Sequence, residues 1–193
     1  MPIFFTADTH FGHARIIDHC RRPFTNVDEM DEVLIARWNG RVGDDDTIYH
    51  LGDFTLKSRG FARRMFRRLR GRVKVLGLPW HHDKGWVPGK VGFSDFCSAS
   101  GHPVEILPPL LTLRFPGVPC GVLTLSHYPM AQWEASYYGA WQLHGHSHGA
   151  HRGTGSLLDV GVDVHDHAPV ALAELAERIP KPGPSAVGRR AHL

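Results

Sequence analysis

"TIYHLGDF", residues 47–54, is a β-rich run that passes straight into a glycine and an acid. Thr47, Ile48 and Tyr49 are β-branched or aromatic, and Gly52-Asp53 closes the run, so the stretch reads as a buried strand with a carboxylate at its carboxyl end. Four other stretches have the same form. "PIFFTA" (2–7) is followed by Asp8-Thr9-His10, and "RVKVLGLP" (72–79) by "WHHD" (80–83). "CGVLTLS" (120–126) ends at His127, and "GAWQLHG" (139–145) leads into His146 and His148. A pair such as "DTH" or "HSH" is weak alone. Ligand sites of α/β sheets gather outside the carboxyl ends of strands, so five such ends carrying Asp and His point to one shared site.

Between these strands lie helix signals. In "TNVDEMDEVLIARWNG" (25–40), Asn26 is an N-cap with Glu29 three residues on. Met30, Leu34 and Trp38 share a face, and Gly40 is a natural stop. "GFARRMFRRLRG" (60–71) predicts a basic helix with Phe61, Met65, Phe66 and Leu69 as its apolar stripe, and "APVALAELAERI" (168–179) a closing one. "EILPPLLTLRF" and "CGVLTLS" flank "PGVP" (116–119), which predicts a hairpin, while "SLLDVGVDV" (156–164) alternates as a late strand. The Gly-, Ser- and Pro-rich stretch 84–103 reads as a long surface excursion. Strands alternating with helices, then a hairpin-rich half, indicate layered sheets and helices in one α/β domain over 1–179. Residues 180–193 read as a flexible C-terminal tail.

Composition narrows the function classes. The 193 residues, 42% hydrophobic and 21% charged, suit one globular core rather than a disordered or fibrous chain. No apolar run is long enough to span a bilayer, and "MPIFFTADTH" lacks the basic start of a signal peptide. Cys20, Cys97 and Cys120 are odd in number and far apart, which argues against a disulfide framework or zinc knuckle and for the cytoplasm. A net charge of +3 is mild, whereas fifteen histidines are unusual. Imidazole is expensive to bury unpaired, so the excess leans towards metal chemistry.

Taken in order, Asp8-x-His10, Gly52-Asp53, "WHHD", His127 in "SHYP" and Gly145-His146-Ser147-His148 resemble the motif series of the calcineurin-like metallophosphoesterases. "DTHFGHARII", "YHLGDF" and "LDVGVDVH" resemble a small bacterial and phage branch of that superfamily, over roughly residues 3 to 172. The resemblance implies a four-layer α/β/β/α sandwich with two central mixed sheets and a dinuclear metal centre. By correspondence Asp53 bridges the ions, Asp8, His10 and His148 complete one site, and His127 and His146 serve the other. The activity implied is hydrolysis of a phosphomonoester or phosphodiester by a metal-bound hydroxide, the substrate being a small phosphorylated or nucleotide molecule. A mixed N/O donor set without cysteine suits Mn²⁺, Fe or Zn²⁺, with Mn²⁺ preferred.

The third motif departs from the family pattern, with Trp80 for glycine and His81 for the asparagine that ligates the second metal. Two arrangements fit: His81 is a ligand of a remodelled site, or the loop has shifted. The residue after it, His82, corresponds to the group that protonates or steadies the leaving oxygen, although the two histidines can exchange these roles. Asp83 is a candidate for orienting one of them. His13 and Arg15 are candidates for the substrate phosphate, each weighed against a plain surface position. His50 and His144 read as buried, hydrogen-bonded supports, and Asp159 and Asp163 as orienting carboxylates or turn residues. Trp133, Tyr137 and Tyr138 suit either base stacking or core packing. The arginines from Arg59 to Arg72 admit nucleic-acid binding, hence a nuclease or end-processing phosphatase, against the plainer solvated helix face. A degenerate scaffold that binds a partner is the remaining alternative, motivated by "WHHD".

Overall fold

The computed structural model describes residues 1–151 and 155–178; the segment 180–193 read as a tail lies outside them. The first half winds β1 (Ile3–Thr6), α1 (Arg15–Cys20), α2 (Val27–Arg41), β2 (Thr47–His50), α3 (Arg59–Phe66) and β3 (Arg72–Leu76). Then come β4 (Gly92–Cys97), β5 (Pro103–Leu107), β6 (Leu110–Arg114), β7 (Val122–Ser126) and β8 (Trp141–His144). The described chain closes with β9 (Leu157–Asp159), β10 (Val170–Ala171) and α4 (Leu172–Arg178). They form an α/β structure with two mixed sheets, six strands in the order β10-β1-β2-β3-β5-β4 and four in the order β6-β7-β8-β9.

The parallel core of the large sheet pairs Phe5 with Tyr49 and Ile48 with Val73. Because side chains alternate across a strand, Phe4, Ile48, Val73 and Val75 face the helices, while Phe5, Tyr49, Leu51 and Leu76 face the small sheet. On the helical side, Met30, Leu34 and Trp38 of α2 are buried at the predicted spacing, with Ile35 beside them. Asn26 caps that helix by accepting the Glu29 N–H at 2.9 Å. Between the sheets, Leu123, Leu125, Trp141 and Leu143 complete a second apolar layer. Burial on both faces suits the apolar run of β1, whereas β3 alternates, with Val73 and Val75 buried and Lys74 paired with Glu105.

Several expectations shift in detail. The stretch 105–126 holds the hairpin, since β6 and β7 pair antiparallel from Leu110↔Ser126 to Arg114↔Val122. Its first residues instead form β5 in the large sheet, and Pro108-Pro109 carries the chain from one sheet to the other. The excursion 84–103 contains an edge strand, β4, paired antiparallel with β5. The closing helix begins at Leu172 because Val170 and Ala171 pair with Phe5 and Phe4 first. No helix among the described residues is long and apolar enough to cross a membrane.

Candidate metal centre

Parallel pairing sets the carboxyl ends of β1, β2 and β3 side by side, and those of β7, β8 and β9 likewise in the other sheet. The two rows of strand ends meet: Ala7 bridges Gly161 across the sheets, and the Val162 N–H donates to the Ala7 carbonyl at 3.1 Å. The loops after these strands therefore converge, and all seven expected ligand residues lie in them. Asp53, His81, His127 and His146 offer donor atoms within 4.8 Å of one another, and so do Asp8, His10 and His148. Asp53 stands between the groups, its Oδ1 2.5 Å from His81 Nδ1 and its Oδ2 3.5 Å from both His10 Nε2 and His127 Nε2. His81 thus reaches the cluster despite the altered motif around it.

The loop backbones are bent to present these groups. Of the ten non-glycine residues with positive φ among the described residues, five are Asp8, His10, Asp53, His146 and His148. Left-handed backbone at a residue with a side chain costs of order 1–3 kcal/mol and persists where a site demands it. Gly52 supports the bend before Asp53: at φ +108° a methyl group there would lie 2.3 Å from Leu78 Cδ1 and 2.9 Å from His127 Nδ1.

Hydrogen bonds orient several of these rings. His127 is held at Nδ1 by the Leu51 carbonyl, 2.9 Å away, which turns Nε2 towards Asp53. His148 Nδ1 lies 2.7 Å from Asp163 Oδ2, so Asp163 takes the orienting role. Asp159 instead braces the loop, accepting from Ser147 Oγ at 2.6 Å and from the backbone N–H groups of Gly149 and Gly161. His50 is buried and bonded to Thr9 Oγ1 at 3.0 Å, and buried His144 has Nδ1 2.9 Å from the Gly145 carbonyl. Asp8 accepts the His146 N–H on both oxygens, at 3.0 and 2.9 Å.

Burial and mutual proximity set the protonation states. Burial drives the Asp8 carboxyl up to about 7, against the pull of His127 and His148. Burial also opposes charge on Asp53, but His127, His10 and His81 outweigh it and hold that carboxyl below the ordinary range. The His10 imidazole is pushed well down by burial. His148 rises to about 10, because Asp163, Cys20 and Asp8 overcome its desolvation.

The donors fit divalent transition-metal ions. Buried Nε2 atoms of His10 and His127 have no hydrogen-bond partner among the described residues, and both point at the same Asp53 oxygen. A buried polar atom without a partner costs about 1–3 kcal/mol unless something else satisfies it. Imidazole nitrogen and carboxylate oxygen are the donors Mn²⁺, Fe and Zn²⁺ take.

Other expected residues fall into place around this core. His82 Nε2 is 3.8 Å from Asp53 Oδ2, on the half-exposed rim. His13 Nδ1 approaches His10 Nδ1 at 3.4 Å, with its ring 6.2 Å from that of His82. Arg15 is not brought in: it is exposed on the first turn of α1 and has no ion pair among the described residues. Asp83 turns away from both neighbouring histidines and accepts from the Phe54 and Thr55 N–H groups and from Trp86 Nε1 at 2.9, 3.0 and 2.8 Å. It orders the segment after Asp53 instead of orienting an imidazole. The arginines of α3 and the turn after it are largely committed: Arg59 and Arg63 both pair with Asp95, and Arg68 with Glu32. Tyr137 and Tyr138 are exposed, whereas Trp133 is bonded to the Ala140 carbonyl at 2.8 Å.

Two participants went unread in the sequence. Arg22 is buried beneath the cluster, gripping Asp163 through Nε and Nη2, each at 2.8 Å, and the Asp8 and Thr9 carbonyls at 2.6 and 3.1 Å. It lies between helices where no periodicity marks it. Tyr128 stands with its ring 4.6 Å from His146 and 4.9 Å from His127. Its place directly after His127 in "SHYP" was the available signal.

Comparison with known proteins returns relatives whose names state no activity. No family model matches the chain. It is 30% identical over 188 residues to the uncharacterized protein MJ1445 of Methanocaldococcus jannaschii, covering 93% of this chain and 92% of that one. It is 33% identical over 87 residues to the Gene 66 protein of Mycobacterium phage L5, a match covering 45% of this chain and 34% of the phage protein. The crystal structure of the protein of unknown function AQ665 from Aquifex aeolicus superposes with a TM-score of 0.63. That match covers 92% of this chain and 99% of the other at 21% identity, a likeness of fold.

Proposed function

We propose that this chain, which belongs to the same family as the uncharacterized protein MJ1445 of Methanocaldococcus jannaschii, is a dinuclear metal-dependent phosphoesterase. The two sheets are then the central pair of a four-layer sandwich of the calcineurin-like metallophosphoesterase kind. The observation that carries the reading is the shared carboxylate. Asp53 meets His10 and His127 at Oδ2 and His81 at Oδ1, with two buried imidazole nitrogens left for a ligand. Asp8, His10, Asp53 and His148 would hold one ion, and Asp53, His81, His127 and His146 the second. Such ions, Mn²⁺ foremost, supply Lewis acidity: they acidify water and neutralise phosphoryl oxygens.

The chain's own residues do the rest. Leu51 and Asp163 hold His127 and His148 by Nδ1, so each presents Nε2. His82, on the open side of Asp53, has its pKa lowered chiefly by burial, so near neutrality it is a neutral imidazole that donates one N–H to the departing ester oxygen. His13, beside His10 on the same rim, is placed to meet the phosphate. The altered "WHHD", which had motivated a scaffold reading, puts a donor nitrogen on Asp53 and favours the enzyme. The three free cysteines are consistent with work in the cytoplasm.

Hydrolysis of an aryl phosphate by the Mn²⁺-supplied chain tests the reading. Turnover should vanish on complete chelation, return with Mn²⁺, and fall at least about 100-fold in Asp53→Asn. Turnover that survives both treatments would refute it.

A further inference from the structure

Trp80 is the residue of the third motif that the metal centre does not absorb. It replaces the small residue of the family pattern, and its indole is 61% exposed. A cleft of about 340 Å³ opens beside it, lined by Leu56, Trp80, His81, His82 and Lys84. Two of these walls belong to the cluster: His81 touches Asp53 at 2.5 Å, and His82 lies 3.8 Å from the same carboxylate. The cleft is therefore continuous with the place where the phosphoryl group would sit, on the side where His82 meets the departing oxygen. Trp80 also borders a second cleft, of about 210 Å³, with Pro79, Pro88 and Lys90. Trp80 is thus largely open to solvent and borders both clefts. Lys84 and Lys90 have no carboxylate partner among the described residues, so each opening carries an uncommitted positive charge.

We infer that the cleft between His82 and Trp80 receives the base of a nucleotide ester, stacked on the indole. This deepens the phosphoesterase reading and rests on it. An indole standing free at the mouth of a polar site has the planar face and quadrupole that an aromatic base uses, and stacking of this kind tolerates any base. A short aliphatic leaving group would leave the ring wet, and a large apolar one has nothing to pair with Lys84. The step is hydrolysis: a water oxygen bonds to phosphorus, the bond from phosphorus to the nucleoside oxygen breaks, and that oxygen takes the proton that the attacking water gives up.

Two measurements on the Zn²⁺-loaded chain decide the matter. The first is the indole N–H resonance of Trp80, assigned by its loss in Trp80→Phe. It should shift on titration with adenosine 5′-monophosphate and not with glycerol phosphate. The second is the ratio of kcat/KM for adenosine monophosphate to that for glycerol phosphate. It should fall roughly 5- to 100-fold in Trp80→Ala and recover in large part in Trp80→Phe. No resonance shift, or an unchanged ratio while both esters turn over, overturns the inference and leaves the phosphoesterase reading standing. A shift that depends on protein concentration without nucleotide also overturns it, assigning the indole to a second copy of the chain. A nucleotide-dependent shift with neither ester hydrolysed supports the cleft and removes the phosphoesterase reading instead.

Discussion

Arg22 offers the sharpest test of how the centre is built. Its guanidinium and the Asp163 carboxylate are 0% and 8% exposed, so solvent screens their contact little. Two charge-assisted bonds of 2.8 Å join them, and the remaining donors reach the carbonyls of Asp8 and Thr9. Arg22→Ala removes all of these and leaves the Asp163 side chain buried with His148 and Cys20 close by. Breaking a buried pair from one side costs about 3–5 kcal/mol, and two charged hydrogen bonds at about 1.5–3 kcal/mol each agree with that figure. For a chain of this length the melting temperature should fall by about 6–20 °C, measured with chelator present so that metal does not contribute. Asp163→Asn in the Arg22→Ala background should add little further loss, since the pair is already broken.

The pH dependence has a definite sign. Burial alone would raise the Asp163 carboxyl, but His148 and Arg22 outweigh it and hold it below the ordinary range. A group depressed in the folded state stabilises above its unfolded pKa, about 3.9 for Asp, and loses that contribution as pH falls towards the folded value. The gap between wild type and Arg22→Ala should stay level from about pH 8 to 5 and narrow below about pH 4. A loss under about 1 kcal/mol at pH 7, or a gap that widens with acid, would refute the placement of Arg22.

Metal binding should release protons, because His148, His127 and, below neutrality, Asp8 must each give one up: with His148 at about 10, His127 raised, despite burial, by Asp53 and Asp8 at about 7, calorimetry in buffers of different ionisation enthalpy should find at least about one proton per chain at pH 8 and more than about two at pH 6. Gly52→Ala should cost about 2–5 kcal/mol in a thermal melt, combining backbone strain with overpacking against Leu78, and should weaken metal binding by displacing His127. Asn26→Ala removes the α2 cap and should cost about 1 kcal/mol by urea titration with no change in bound metal.

What the chain discloses before folding is governed by sequence locality. The strand ends were legible because an apolar run closed by Asp or His is a local signal, and parallel pairing then brings such ends together whatever separates them. The α2 face was legible for the same reason, Met30, Leu34 and Trp38 repeating at the helical period. Arg22 was not, since its meaning lies 141 positions away at Asp163 and nothing beside it changes. Asp83 misled because adjacency to two histidines suggested a partner, while the loop turned its carboxylate to the backbone of Phe54 and Thr55. The move from β5 to β6 was hidden because Pro108-Pro109 looks like an interruption within one apolar run, whereas it is the point where the chain changes sheets. Arg15, read as a candidate for the substrate phosphate or as a plain surface position, lies exposed on the first turn of α1.

The central claim is that Asp53 joins two ions, and counting them tests it most directly. The wild-type chain loaded with Mn²⁺ and freed of excess should hold about two ions by elemental analysis, and Asp53→Asn fewer than about one. A wild-type chain that retains none, or a variant that retains as many as wild type, would contradict the account.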